Sequence, residues 1–449
     1  MSLAEAAAMM QAPAPGPVAH VRGVSIDTRT LQPGDLFFAL SGGARDGHGY
    51  VDAALAAGAA GAVVERDLPP AVPYIKVPDT RRALRDLAAG WRARHTPALV
   101  GLTGSSGKTT VKELLAALLS RVAPTLATRG NFNNELGVPL TLLRLRAEHR
   151  FAVIEMGMNH AGEIGRLSRL ARPDVALLLN AGPAHLEGLG SVAAVARAKA
   201  EIIEGLGSGG VVVLNGDDPH APVWERAASG HRVLRFGLDA GADVTAGYRL
   251  DAEGADMEVR VGGATWATRL ALIGRHNVMN ALAAIAALVA LEQPLEPALP
   301  ALAELRPTAG RLAPRAGRGG VRVIDDSYNA NPASVAAAIE VLAGLPGERV
   351  LVLGELAELG DDAAEWQARL GAQARAAGIE QLVALGGQAR HAASAFGPGG
   401  STFDDLEALV AALAASLRPG CTVLVKGSRV ARMERVVEAL AATTPSGDA

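Results

Sequence analysis

The chain has 449 residues, 49% hydrophobic but only 3% aromatic, so its cores must be filled by Ala, Val and Leu; 43 basic and 46 acidic side chains leave a formal net charge of −3. That balance offers no positive field for a nucleic-acid backbone, and the apolar run Ala281–Leu291 falls far short of the ~20 residues of a membrane-spanning helix. The single cysteine, Cys421, excludes an intrachain disulfide and cysteine-based zinc motifs; together with the lack of a leader-like pattern in Met1-Ser-Leu-Ala-Glu5, it leads to the expectation of a soluble, cytoplasmic protein.

Taken in chain order, short apolar strands alternate with helices from the start. Strands are predicted at Asp35–Leu40, Gly61–Glu65 and Tyr74–Val77, and helices at Tyr50–Ala60 and Thr80–Arg94. The polar, proline-ended Arg92-Ala-Arg-His-Thr-Pro97 closes this unit, which makes residues 1–96 a small α/β domain.

Residues 97–305 form the predicted second domain, which opens on Gly101-Leu-Thr-Gly-Ser-Ser-Gly-Lys-Thr-Thr110, between the strand Pro97–Gly101 and a helix over Thr109–Arg121. Small residues let successive N–H groups converge on phosphate oxygens, and the helix N-terminus adds orphan donors and a favourable dipole. Gly104, Ser105, Ser106, Gly107 and Thr110 are therefore placed around a triphosphate, with Lys108 on its terminal phosphates and the Thr109 hydroxyl on a phosphate-bound Mg²⁺. The generic phosphate-loop pattern wants glycine at position 102, where this chain has Leu.

Continuous apolar runs at Phe151–Glu155, Asp174–Asn180 and Gly210–Asn215 read as parallel strands covered on both faces, and 243–273 as a small antiparallel edge. Ligands of such sheets sit beyond the strand C-termini. Glu155 is well placed there to bind Mg²⁺, and His185 is a second candidate metal ligand. Lys199 lies on a helix beside Val195, Ala196 and Ile202. It is either an amine laid along apolar surface or a desolvated neutral amine that carbon dioxide would convert into an anionic carbamate able to ligate metal. Asn133 and Asn134 form a polar loop able to order a substrate chain or a metal-bound water. Asn277 and Asn280, three apart on a helix face, suit an adenine edge or a helix cap.

The second boundary falls in Glu292–Pro300 or the helix just after it, so that residues 306–449 form a third domain with strands at Val321–Ile324, Arg349–Gly354, Gln381–Gly386 and Thr422–Lys426, ending in a loose tail after Ala442. Asp325-Asp-Ser-Tyr-Asn-Ala-Asn-Pro332 reads as a strand-end loop too polar for a core. With Gly310-Arg311 and Lys426-Gly-Ser-Arg-Val430 it is expected to face the second domain across a cleft. The predicted fold is α/β in three domains: a small N-terminal domain, a central P-loop ATPase-like domain with a mostly parallel sheet, and a C-terminal Rossmann-like domain.

Taken together, these motifs resemble those of the Mur ligases, ATP-dependent amide-bond-forming enzymes of peptidoglycan synthesis, and the resemblance spans nearly the whole chain. It rests on Ser25-Ile-Asp-Thr-Arg29, Pro33–Leu40, Asp46-Gly-His48, Thr103–Thr110, Asn133-Asn134, Glu155, His185, Lys199, Gly274–Asn280 and Gly310-Arg311. The family loop itself places glycine at 101 and 104, so Leu102 agrees with it. Asp325–Pro332, Glu155-Met-Gly-Met-Asn159 and Leu353-Gly-Glu-Leu-Ala-Glu-Leu-Gly360 are similar to the branch that adds the D-alanyl-D-alanine dipeptide.

The resemblance implies that Ser25, Thr28, Arg29, Asp46 and His48 hold the uridine end of UDP-N-acetylmuramoyl-tripeptide, with Asn133, Asn134, Asn329 and Lys426 as further substrate contacts. It implies Asn277, Asn280, Arg311, Asp326 and Tyr328 around ATP, Lys108 on its phosphates, and Thr109, Glu155, His185 and a carbamylated Lys199 serving Mg²⁺. Lys108, Glu155, His185 and Lys199 are the expected catalytic set, acting in a monomer through an acyl-phosphate intermediate. Two other readings stay open: a sister ligase adding a single amino acid or glutamate, and a non-catalytic ATP-gated binding or assembly protein.

Overall fold

The computed structural model describes residues 1–13, 19–42, 46–69, 72–184, 186–239 and 241–442. His185 and the tail beyond Ala442 lie outside them.

Among the described residues the strands form three sheets, one in each of three α/β domains. The first is wholly parallel, in the order β1 (Gly23–Ser25), β2 (Asp35–Phe38), β3 (Gly61–Val64), β4 (Tyr74–Lys76). The second contains β5 (Ala98–Thr103), β6 (Thr125–Ala127), β7 (Phe151–Glu155), β8 (Val175–Leu178), β9 (Val211–Asn215), β10 (Arg232–Phe236), β11 (Val244–Leu250), β12 (Ala255–Val261) and β13 (Ala264–Leu270). Its order is β13-β12-β11-β10-β9-β8-β5-β7-β6, parallel up to β11 and antiparallel beyond. The third holds β14 (Ala313–Ala316), β15 (Arg322–Asp326), β16 (Arg349–Gly354), β17 (Gln381–Leu385), β18 (Gly400–Phe403) and β19 (Thr422–Lys426), in the order β14-β15-β19-β16-β17-β18, with only β14 antiparallel.

In the central sheet, Val100 of β5 lies between Val153 of β7 and Val175 of β8. The chain leaves β5 towards β6 and β7 on one side, then returns to build β8 to β10 on the other. That reversal opens a crevice beyond the ends of β5, β7 and β8. Behind the sheet runs the helix Arg275–Ala290, in which Ala281, Ala283, Ala284, Ala286 and Ala287 are fully buried. Their small side chains let it pack closely against the helix Lys108–Ser120, which starts at the crevice.

One apolar cluster runs from the first domain (Leu36, Leu84, Leu87) into the second (Leu142, Ile154, Ile164). At this joint Arg92 is buried and donates to three carbonyls, Ala171 O (2.8 Å), His95 O (2.6 Å) and Arg172 O (3.1 Å), which neutralises the end of the helix Glu163–Ala171. The third domain has a core on each face of its sheet, one around Ile339 and Leu351, joined by Ile273 of the second domain, and one around Val350 and Val423. No helix among the described residues is long and apolar enough to cross a membrane.

Two sequence expectations need correction. β15 runs through Asp326, so the first two residues of the polar stretch belong to the strand rather than to a loop. Asp325, Asp326 and Ser327 are also buried, against the expectation that the stretch stays out of the core. Their burial is tolerated because each acid has donors: Asp325 accepts from Gly310 N (3.1 Å) and Ser327 Oγ (2.6 Å), and Asp326 from Leu312 N (3.2 Å) and Lys426 Nζ (2.6 Å).

Candidate active site

Thr103 ends β5, and Gly107, at φ +80°, turns the chain into the Lys108–Ser120 helix. A side chain there would be strained and its Cβ would lie 2.5 Å from Asn280 Oδ1, so both backbone and packing demand glycine. The first main-chain bond of this helix runs from Val111 N to Gly107 O (2.9 Å). The N–H groups of Gly107, Lys108, Thr109 and Thr110 therefore have no acceptor among the described residues, and these residues line the cleft. Such an array is a ready anion site. Lys108 Nζ rests on Gly104 O (2.6 Å); burial pulls its amine down, while the Glu155 carboxylate opposes that shift. Asn180, just past β8, holds the loop from the side: its Oδ1 accepts from Ser106 N (2.9 Å) and its Nδ2 donates to Ser106 O (3.1 Å).

At the end of β7, Glu155 is 2% exposed, accepting from the Thr109 hydroxyl (3.1 Å) on one oxygen and from Asn133 Nδ2 (2.8 Å) on the other. The Thr109 hydroxyl and the Glu155 carboxylate are hard oxygen donors of the kind Mg²⁺ takes, and the two would hold the ion at the mouth of the phosphate loop. No cluster of three His, Cys, Asp or Glu side chains able to hold a metal is assembled among the described residues. Lys199 lines the same cleft, buried, its amine with no hydrogen bond or ion pair among the described residues. Burial, reinforced by the Lys108 charge, holds its amine well below an ordinary lysine and favours the neutral form.

The third domain supplies the facing wall. Arg311 Nη2 donates to Thr109 Oγ (2.9 Å), and its guanidinium lies 4.4 Å from the centre of the Tyr328 ring. Lys426 bridges Asp326 and Asn329 O (3.0 Å), and burial pushes the Asp326 carboxyl up against the pull of that lysine. Asn329 Oδ1 accepts from Arg429 N (3.2 Å). Glu358, in left-handed backbone at φ +63°, accepts through its carbonyl from Leu186 N (3.2 Å) of the second domain.

Groups of the second and third domains border a cleft of about 900 Å³. It brings together Ser105 to Thr110, Asn133, Asn134, Glu155, Lys199, Asn277, Asn280, Arg311, Asp326, Tyr328, Asn329 and Lys426; Gly104 lies beneath the loop, under Lys108. Asn134 is turned to local use, its Oδ1 accepting from Leu136 N and Gly137 N. Asn277 is not a cap: it lies inside the helix, donates to Ile273 O (2.8 Å) and accepts from Asn280 Nδ2 (2.9 Å).

The first-domain set is not among the cleft's lining residues. Ser25 Oγ donates to Asp27 O (2.9 Å), Arg29 forms a fork on Asp27, and Thr28 lies between them. His48 is buried with both ring nitrogens in use, Nδ1 on Asp46 Oδ1 (2.6 Å) and Nε2 accepting from Glu65 N (2.9 Å), which puts the proton on Nδ1. Sequence reasoning missed Asn180, Asn331 and His276, all of which line the cleft. Asn180 is the polar residue closing an apolar run, and that alone could have marked it. Burial and the Lys426 charge pull His276 down to about 4, so its imidazole is neutral at physiological pH.

Comparison with known proteins follows the same three-part layout. Residues 20–92, 102–288 and 310–429 match, in turn, the Mur ligase family catalytic domain, the Mur ligase middle domain and the Mur ligase glutamate ligase domain. The UDP-N-acetylmuramoyl-tripeptide–D-alanyl-D-alanine ligase of Escherichia coli (strain K12) is 43% identical over 422 residues, 93% of each chain. MurF from Acinetobacter baumannii is similar with a TM-score of 0.90 at 35% identity, over 97% of this chain and 98% of that one. MurF from Thermotoga maritima in complex with ADP gives a TM-score of 0.83 at 30% identity, over 93% and 97%. The chain belongs to the Mur ligase family of ATP-dependent ligases.

Proposed function

We propose that this protein joins D-alanyl-D-alanine to UDP-N-acetylmuramoyl-tripeptide at the expense of ATP, giving the pentapeptide, ADP and phosphate. The observation that carries the reading is the convergence in one cleft of the free N–H groups of Gly107 to Thr110 with Lys108, Arg311 and the Thr109–Glu155 pair. That arrangement suits phosphoryl transfer, in which positioning and charge neutralisation do most of the work. The dipeptide acceptor is supported by the names of the relatives that match over almost the whole chain.

In this reading the tripeptide's terminal carboxylate attacks the γ-phosphorus and the bond to the ADP oxygen breaks, leaving an acyl phosphate. The dipeptide's neutral amine then attacks the acyl carbon; phosphate departs and the amine loses its extra proton. Lys108 and the loop N–H groups hold the phosphates, while Asn277, Asn280, Arg311, Asp326 and Tyr328 surround the nucleotide. Thr109 and Glu155 would hold magnesium, which neutralises charge on the transferring group. Burial holds the Lys199 amine well below an ordinary lysine, which favours the neutral form that carbon dioxide converts to a carbamate, and His185 completes the proposed set. Residues 1–96 take the uridine end through Ser25, Thr28, Arg29, Asp46 and His48; residues 97–305 take ATP; and residues 306–449 close the cleft, with Asn133, Asn134, Asn329 and Lys426 along the peptide. We place this reaction in the cytoplasm, in a monomer.

The test is ADP release with ATP, Mg²⁺ and UDP-N-acetylmuramoyl-tripeptide, carrying either meso-diaminopimelate or lysine, with and without D-alanyl-D-alanine, while mass spectrometry follows the peptide. Dipeptide-dependent release with pentapeptide formation supports the reading. Folded, ATP-binding protein that turns over neither tripeptide would overturn it.

A further inference from the structure

We infer that Asn331 is a positioning residue whose amide clasps the third domain onto the phosphate loop, and that turnover depends on this clasp separately from the residue's role as a helix cap. The inference rests on the ligase reading and deepens it. Asn331 stands immediately before the helix Pro332–Ala343. Its Oδ1 accepts from Ser334 N (2.9 Å) and its own N–H donates to Ser334 Oγ (3.0 Å), a reciprocal cap. The cap leaves Nδ2 unused, and that group crosses the cleft: it lies 3.1 Å from Ser106 Oγ and 3.4 Å from Ser105 O, 225 and 226 residues away in sequence.

Ser106 is gripped from both sides. Asn180 binds its main-chain N–H and carbonyl from the second domain, and Asn331 binds its hydroxyl from the third. One amide thus ties the loop to the start of a helix whose Ala333, Ala336 and Glu340 line the cleft. Any tilt of the third domain is thereby transmitted to the serines beside Lys108. Displacements of about 1 Å around reacting groups cost on the order of 10²-fold in rate, so a contact that adds little to stability carries weight in catalysis.

The experiment compares Asn331→Ser, Ser106→Ala and the double variant Asn331→Ser/Ser106→Ala in the full chain. Serine is a good N-cap, but its hydroxyl is too short to make the crossing bond to Ser106. We expect each single variant to lower kcat about tenfold, with KM for ATP changed less than about threefold, on the displacement argument. The double variant should fall no further than the worse single one, because both remove the same bond. Thermal midpoints should stay within a few degrees of the parent. Unchanged kcat in Asn331→Ser and Ser106→Ala, or losses that multiply in the double variant, would overturn the inference. Ser106→Ala leaves the cap intact, and its KM for ATP separates loss of the crossing bond from loss of a phosphate contact, so the inference stays testable if a variant at 331 fails to fold.

Discussion

The joint between the first and second domains and the joint between the second and third are made of different materials. The first is a continuous apolar cluster, pinned by the Trp91 indole N–H on Leu145 O (3.1 Å), Arg146 on Arg22 O (2.9 Å) and the buried Arg92 on three carbonyls. At the second, one apolar residue, Ile273, crosses into the third domain's core, and the other named contacts are single hydrogen bonds: Arg311 on Thr109, Asn331 on Ser106, Leu186 on Glu358. Apolar burial of roughly 25 cal/mol per Å² is indifferent to ligand. A typical hydrogen bond contributes only about 1 kcal/mol net, so a bound polyanion can compete with the bond of Arg311 to Thr109, groups that the ligase reading sets around the nucleotide and its magnesium. The contrast teaches that the first joint holds shape, whereas the second is built largely from groups that line the cleft and that the ligase reading puts to work.

The two joints should therefore fail in different ways. The largest effect is expected at the polar joint: Arg311→Ala removes a cation aimed at the phosphate loop and should lower kcat for ADP release about 10²–10³-fold, with a melting temperature close to that of the parent. At the apolar joint Arg92→Met should do the reverse. Leaving the carbonyls of Ala171, His95 and Arg172 without their buried donor should cost about 2–4 kcal/mol in urea unfolding, while the folded fraction keeps its kcat. A smaller effect sharpens the comparison through pH. His276, beside the polar joint, is held down to about 4, against roughly 6.5 in an unfolded chain. Between those values the unfolded state binds a proton that the folded state refuses. The contribution is therefore fully present above about pH 6.5 and is lost as the pH falls through the folded value. Melting temperatures of His276→Gln should fall less steeply than the parent's between pH 6.5 and 4.

What was legible in the sequence follows the same division. The phosphate loop is local: Gly107, Lys108 and Thr109 carry their geometry in adjacent residues, and Glu155 closes an apolar run. The helix Thr80–Arg94 was readable for the same reason, with Asp79 capping Arg81 N and Arg82 N. A local signal also lay unused at the start, where Ser2 and Glu5 form the capping box of the helix Leu3–Met9. Short or half-exposed strands escaped because they lack an apolar run: β6 has three residues, β14 reads Ala-Pro-Arg-Ala, and β10 mixes Arg232 and Arg235 with its apolar residues. Asp325 and Asp326 look like surface until Gly310, Leu312 and Lys426 are brought to them. Asn331 caps the helix that Pro332 opens, but its bond to Ser106 depends on how two domains dock and leaves no mark in either segment.

The most direct test of the chemistry assigned to this cleft is an isotope transfer. The tripeptide is prepared with ¹⁸O in both oxygens of its terminal carboxylate and turned over with ATP, Mg²⁺ and D-alanyl-D-alanine. An acyl-phosphate route predicts one labelled oxygen in inorganic phosphate and one retained in the new amide. Label in AMP, or pentapeptide formed with no label in phosphate, would contradict it.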